Sequence, residues 1–180
     1  MGDNTTIEVD GYTFEVTFGR DDATGSPWNR EDGHGDVRIS GKPHWYGEGV
    51  SDKLPGERPM NKPNSHGYQY YYDWAGACKK ARKDVWGPGG IHEAVQADFK
   101  YLQGWVDKEW EYVCVEVTLE NRTEYTRCVC GVETHKDYHL EFAEELAREV
   151  IEEYLDDMEK NELKGFDPAT GANAPEGERR

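Results

Sequence analysis

The sequence is short of positive charge. Lys and Arg number 21 against 37 Asp and Glu, for a formal net charge of −16. Such a field repels a phosphate backbone, which argues against direct nucleic-acid binding. Long apolar runs are missing as well. None approaches the ~20 residues that a membrane-crossing helix needs, and the opening MGDNTTIEVDG has no basic stretch followed by an apolar one. Neither a membrane span nor a secretory leader is expected, and the expectation is a soluble chain in a reducing cytoplasm. Cysteine is sparse, with only Cys78, Cys114, Cys128 and Cys130. In a reducing compartment four such residues read as thiols or metal ligands before disulfides, and thiols are the expectation. The Asn-X-Thr matches at Asn4 and Asn121 then carry no glycosylation meaning. Internal repeats and glycine-rich phosphate loops are absent, and no cofactor is called for.

The 180 residues are 36% hydrophobic and 12% aromatic, enough for one core. TIEVDGYTFEVTFG reads as two alternating strands, near 6–9 and 12–18, joined by Asp10-Gly11, a dipeptide suited to a two-residue hairpin. Residues 19–67 are rich in Gly, Pro, Asp, Asn and Ser and read as a long irregular loop in which only VRIS (37–40) resembles a strand. Asp73 is placed to cap a helix carrying Trp74, Ala77, Cys78, Ala81 and Val85 at helical spacing, stopped by Gly87-Pro88. Its other face bears Lys79, Lys80, Arg82 and Lys83, a basic island. A second helix is expected over about 91–108, with Ile91, Val95, Phe99, Leu102 and Val106 as its stripe. EYVCVEVTLE (111–120) and TEYTRCVCGV (123–132) form a second hairpin around Asn121-Arg122. A final helix over 137–162 has Phe142, Ala143, Leu146, Ala147, Val150, Ile151, Tyr154, Leu155 and Met158 on one side. The tail from 165 to 180 has no periodicity and too few apolar groups to order. The expected fold is α+β: one domain over 1–164, an antiparallel sheet of two hairpins with about three helices on one face.

Three segments carry a resemblance. SPWNREDGHGDV with the later PGERP, YYYDWAGACKKARKDVWG, and AVQADFKYLQGWVDKEWEYVCVEVTLE, followed by GVETHKDYHLEFAEELAREV, together resemble a family of uncharacterised tailed-bacteriophage proteins. The likeness covers roughly residues 12–155. It implies a phage origin and the cytoplasm of an infected bacterium, with no assigned activity. In that family the strand positions of Cys114, Cys128 and Cys130 resemble small or aliphatic sites, which makes a family-wide metal site on them less expected.

Two patterns are candidate chemical sites. In the SPWNREDGHGDV loop, Asp32, His34 and Asp36 alternate with glycines, so carboxylates and imidazole would converge on a divalent ion or an activated water, as in a small metal-dependent hydrolase. The competing account is that Gly33 and Gly35 supply turn conformations while the acids accept backbone N–H bonds. Cys128 and Cys130 leave one face of a strand, and His135 and His139 lie four residues apart near a helix start, a Cys2His2 set for zinc. Against it, strand residues two apart are separated by about 6.6–7 Å along the backbone. No local motif supports a nucleophilic triad.

The last helix is the third candidate. Between Asp137 and Lys160 ten acids face only Arg148 and Lys160, a net of −8. Glu145, Glu149, Glu152, Glu153, Asp156 and Asp157 are the carboxylates placed to meet a partner. Taken with the phage resemblance, this surface points to a non-enzymatic accessory protein that binds a host protein, such as a basic nucleic-acid-handling enzyme or a defence complex. The hydrolase centred on Asp32, His34 and Asp36 is the alternative.

Overall fold

A computed structural model describes residues 3–30, 33–41, 52–61, 67–84, 90–164, 166–167 and 172–173. In chain order the elements are strands β1 (Asp3–Val9), β2 (Tyr12–Arg20), β3 (Val37–Ile39), β4 (Glu57–Pro59) and β5 (Tyr70–Asp73), helices α1 (Trp74–Asp84) and α2 (Gly90–Val106), strands β6 (Tyr112–Leu119) and β7 (Arg122–Glu133), helix α3 (Tyr138–Lys164), and the two-residue strands β8 (Phe166–Asp167) and β9 (Ala172–Asn173). Short 3-10 turns sit at Pro27–Asn29 and His135–Asp137. The fold is α+β, with separate antiparallel sheets of four and three strands and three helices. Where the sequence suggests one domain, the chain divides into two compact units: residues 1–21 with 112–180, and residues 22–111.

The first unit is built on the sheet β1-β2-β6-β7. Asp10 and Gly11, both at positive φ (51° and 83°), make the turn that pairs Val9 with Tyr12. The second hairpin turns one residue earlier than its sequence suggests, at Glu120-Asn121, because Asn121 tolerates the left-handed φ of 61° and pairing resumes at Arg122. Alternation sends Phe14 and Val16 of β2 and Val113, Val115, Val117 and Leu119 of β6 to one face, where α3 covers them with Ala143, Leu146, Ala147, Val150 and Ile151. Each fully buried Val or Phe there contributes about 1.5–3 kcal/mol. The apolar stripe of α3 ends sooner than expected. Leu155 and Met158 are about half exposed, since a helix of 27 residues runs on past the buried face.

The second unit pairs β3-β5-β4 into a small sheet accompanied by α1 and α2. Its core holds Met60, Tyr72, Ala77, Val95 and Leu102, edged by Trp28, Trp74 and Phe99. The long segment 19–67 is thus more ordered than its composition implies, with β4 and the Pro27 turn unanticipated. β5 was hidden in the aromatic block GYQYYYDW, whose Tyr71 and Tyr72 are wholly buried while Tyr68 is exposed. Trp74 and Trp105 are half-buried, with Trp105 edge-on to Trp28 at 5.0 Å. Asp73 caps α1 as expected, its Oδ1 accepting the Gly76 N–H at 2.9 Å. The expected disordered tail falls mostly outside the described residues, and its described pieces pair as β8 and β9. No helix among the described residues is long and apolar enough to cross a membrane.

Candidate functional site

The His34 turn is shaped by its glycines, as the structural account of that loop requires. Gly33 has a φ of 86°, which favours glycine. Gly35 is needed for space: a Cβ there would lie 2.5 Å from the ring of Tyr72. That close approach lets the turn settle on β5 and brings His34 to helix α2. The His34 Nδ1–H donates to Asp98 Oδ1 at 2.6 Å, the Gly35 N–H donates to Asp98 Oδ2 at 2.9 Å, and the Tyr72 hydroxyl donates to the same oxygen at 2.6 Å. The imidazole also stacks on Tyr101, centroids 5.0 Å apart and planes within 16°.

Burial works to raise the Asp98 carboxyl, but the bonds from His34, Tyr72 and Gly35 outweigh it and hold the group below its usual range. Asp98 is therefore a carboxylate, and as an acceptor-only partner it takes the Nδ1–H of His34. Burial, and then the Asp98 bond, push the Tyr72 hydroxyl well above its normal value, so it remains a donor.

This dyad borders a cavity of about 330 Å³. Ala77 and Ala81 of α1 and Ala94 and Val95 of α2 form its apolar walls, with His34, Tyr72, Asp98 and Lys80 supplying polarity. The small wall residues leave the space, since larger ones at those positions would close it. Lys80, from the basic face of α1, donates to the His34 carbonyl at 3.2 Å and adds a cation at the rim. The arrangement can hold a small molecule beside an imidazole whose orientation and proton are set from behind by a carboxylate.

The residues predicted from sequence fare unevenly. Asp32 lies outside the described residues. Asp36 does not join His34: it is exposed and borders a separate depression with Arg38, Leu54 and Glu57, while its carbonyl accepts the Asp73 N–H at 2.9 Å. Among the described residues His34 is instead met by Asp98, 64 residues away. One signal pointed to it: Asp98 interrupts the apolar stripe Val95, Phe99, Leu102 of α2, where a carboxylate needs donors. Near Asp36, Arg38 grips Glu57 with two bonds (2.7 and 2.8 Å), and Leu54 N–H adds a third to this buried carboxylate.

The cysteines correct the sequence expectation of thiols. Cys114 and Cys130 form a disulfide between β6 and β7, their Cα atoms 3.8 Å apart. A break in the ladder, where Val113 pairs Val132 but Val115 pairs Val129, sets Cys114 opposite the Cys130-Gly131 step; a spacing of 16 residues could not disclose this. Cys130 is therefore spent, Cys128 is an exposed thiol, and among the described residues Cys128, Cys130, His135 and His139 are not gathered to ligand distance.

Of the acids of α3, Glu153 pairs with Arg127 at 2.9 Å, Asp156 with Lys160, and Asp157 accepts a long bond (3.3 Å) from Tyr125. Glu145, Glu149 and Glu152 are exposed and have no ion pair among the described residues; at i, i+4 and i+7 they form one stripe.

Comparison with known proteins finds no matching protein-family model, no similar curated protein and no similar solved structure.

Proposed function

We propose that the second unit is a small-ligand module in which His34 accepts or delivers a proton on a bound molecule and Lys80 anchors the negative end of that molecule. One observation carries this reading: the Asp98–His34 pair forms a wall of a cavity instead of being sealed in the core. With Nδ1–H held by Asp98, the basic lone pair belongs to Nε2, the nitrogen remote from the carboxylate, and the carboxylate stabilises the imidazolium that forms on protonation. A cavity of this size suits a compact molecule with an apolar body and an anionic end. This departs from a hydrolase built on Asp32, His34 and Asp36 by replacing the two loop acids with Asp98 as the orienting group. The test is ligand-observed NMR against small carboxylates and phosphate monoesters. A binder at millimolar concentration should be lost in Ala81→Leu, which fills the cavity, and weakened severalfold in Lys80→Met. If Ala81→Leu binds whatever the native chain binds, the cavity is not the site.

A second reading is supported by the exposed stripe Glu145, Glu149, Glu152, which has no ion pair among the described residues. Combined with the resemblance to phage proteins, it suggests that α3 docks on a basic host protein in the infected cell, in counter-defence or host takeover. Capture of a defined basic protein from host lysate should weaken as salt screens exposed charges and should be lost on reversing the three acids to Lys. Salt-insensitive capture by the charge-reversed chain would overturn it.

A further inference from the structure

Within the first unit, the disulfide has an acidic neighbour. Asp21 follows the end of β2, and its backbone N–H donates to the Tyr112 carbonyl at 3.2 Å, extending the β2–β6 ladder by one bond. At the irregularity of β7, Gly131 adopts a φ of 79°, and its N–H donates to Asp21 Oδ2 at 2.8 Å. The carboxylate is thereby fixed against the two sulfurs. One oxygen of Asp21 and the Sγ atoms of Cys114 and Cys130 all lie within 4.8 Å of one another, the one such group of three among the described residues.

We propose that the reduced form of this cluster is a binding site for a thiophilic divalent cation of the zinc type, with Cys114, Cys130 and Asp21 as ligands, so that the same two sulfurs alternate between a disulfide and a metal site. A dithiol reductant supplies two electrons and two protons: the S–S bond breaks, two thiols form, and the dithiol leaves as its own disulfide. Binding M2+ then releases two protons and forms two metal–sulfur bonds and one metal–oxygen bond. A tetrahedral ion with bonds of about 2.3 Å to sulfur and 2.0–2.2 Å to oxygen sets its ligands about 3.6–3.8 Å apart. With an Asp21 oxygen already within 4.8 Å of both sulfurs, closing to that spacing takes a shift of about 1 Å, which side-chain rotation supplies once the sulfurs are unbonded. Soft thiolate ligands select such an ion over magnesium or calcium. Cys130 is exposed, so reductant and ion reach it from solvent. The Gly131 bond acts as the outer partner that orients the Asp21 carboxylate.

The test uses the full chain carrying Cys78→Ser and Cys128→Ser, so that only these two cysteines remain. After reduction and anaerobic removal of the reductant, cobalt(II) is titrated in. The expected result is one equivalent bound, with thiolate-to-cobalt charge-transfer bands and the strong visible absorption of a tetrahedral ion, both erased by zinc. The oxidised chain should show neither band. Asp21→Asn keeps an acceptor for Gly131 N–H but removes the anionic ligand, and should weaken cobalt binding at least tenfold while the disulfide still forms. Equal binding by the oxidised chain, or unchanged affinity in Asp21→Asn, or no charge-transfer band on reduction would each overturn the assignment. Should the double serine background itself fail to bind while the native reduced chain binds, the ligand set proposed here is wrong.

Discussion

Removing the Asp98 carboxylate should cost the second unit a large part of its stability. In Asp98→Ala, three donors lose their acceptor: His34 Nδ1–H, Gly35 N–H and Tyr72 O–H. They are not equally exposed. Tyr72 is 0% exposed and Gly35 is buried, whereas the His34 side chain keeps 18% of its surface, so water can serve the imidazole but not the other two. Two stranded donors at about 1–3 kcal/mol each give about 2–6 kcal/mol. Asp98→Asn should cost less, about 1–2 kcal/mol, because one amide oxygen still serves Tyr72 and Gly35. It carries a sharper signature. The amide N–H now faces Nδ1, which must become the acceptor, so the His34 proton moves to Nε2 and the ring nitrogens exchange their NMR shifts. The sign of the pH dependence follows from the depressed Asp98 carboxyl. Its contribution is present above the ordinary value of 3.8 and is lost as pH falls below it, so the gap between the native chain and Asp98→Asn should close in acid. The assay is selective, because Trp28, Trp45, Trp74, Trp86, Trp105 and Trp110, all six of the chain, lie within residues 22–111. Denaturant unfolding followed by tryptophan fluorescence reports that unit alone. A midpoint for Asp98→Ala indistinguishable from native, or an unchanged tautomer in Asp98→Asn, refutes the reasoning.

Further outcomes follow from single contacts. Gly35→Ala should destabilise by about 1–3 kcal/mol, as overpacking does against a ring that is itself buried, whereas Gly33→Ala, which meets open space at a positive φ, should cost about 1 kcal/mol; equal costs in fluorescence-detected unfolding would contradict the geometry. Reducing the Cys114–Cys130 bond, which spans 16 residues, should lower the stability of the first unit by about 3 kcal/mol, seen as faster amide exchange in β6 and β7; unaltered exchange would be the contrary result. Arg38→Ala leaves the Glu57 carboxylate buried with one fewer partner, so its carboxyl should rise from its depressed position. Since that depression stabilises above the ordinary value of 4.5 and fades below it, the damage should be greatest at neutral pH and shrink in acid; a pH-independent loss would show that the ion pair is not its source.

Local patterns in this chain announce local structure. The Asp10-Gly11 turn, the period-two runs of β6 and the helical stripe of α3 each encode their own geometry, and all formed near the expected bounds. What escaped reading depends on long-range pairing. Asp98 meets His34 across 64 positions, and Cys114 meets Cys130 only because the β6–β7 register slips at that point. Short strands were hidden in part. VRIS announced β3, but β4 has only three residues, too few for alternation to stand out, and it is a strand because it pairs with β5. The apolar stripe of α3 was read too far, because helical periodicity cannot say where the sheet beneath it ends.

The two units reach stability by different means, and this bears on which of them can host chemistry. In the first, a four-stranded sheet with strands of seven to twelve residues buries a Val-rich face under α3, so its core is apolar and its polar groups point outward. The second has strands of only three or four residues and little ladder to rely on. It substitutes edge-to-face aromatics, among them Trp28 with Trp105 and Tyr72 with Phe99, and carboxylates drawn inward with their donors, Asp98 and Glu57. A core of that kind holds oriented polar groups under partial burial, where a charge is strengthened by weak screening and its geometry is fixed by several partners at once. Those are the conditions in which an imidazole can be aimed at a cavity. That the cavity of the second unit opens beside His34 follows from how this unit is held together, because the Asp98 cluster that secures the turn also sets the histidine's proton.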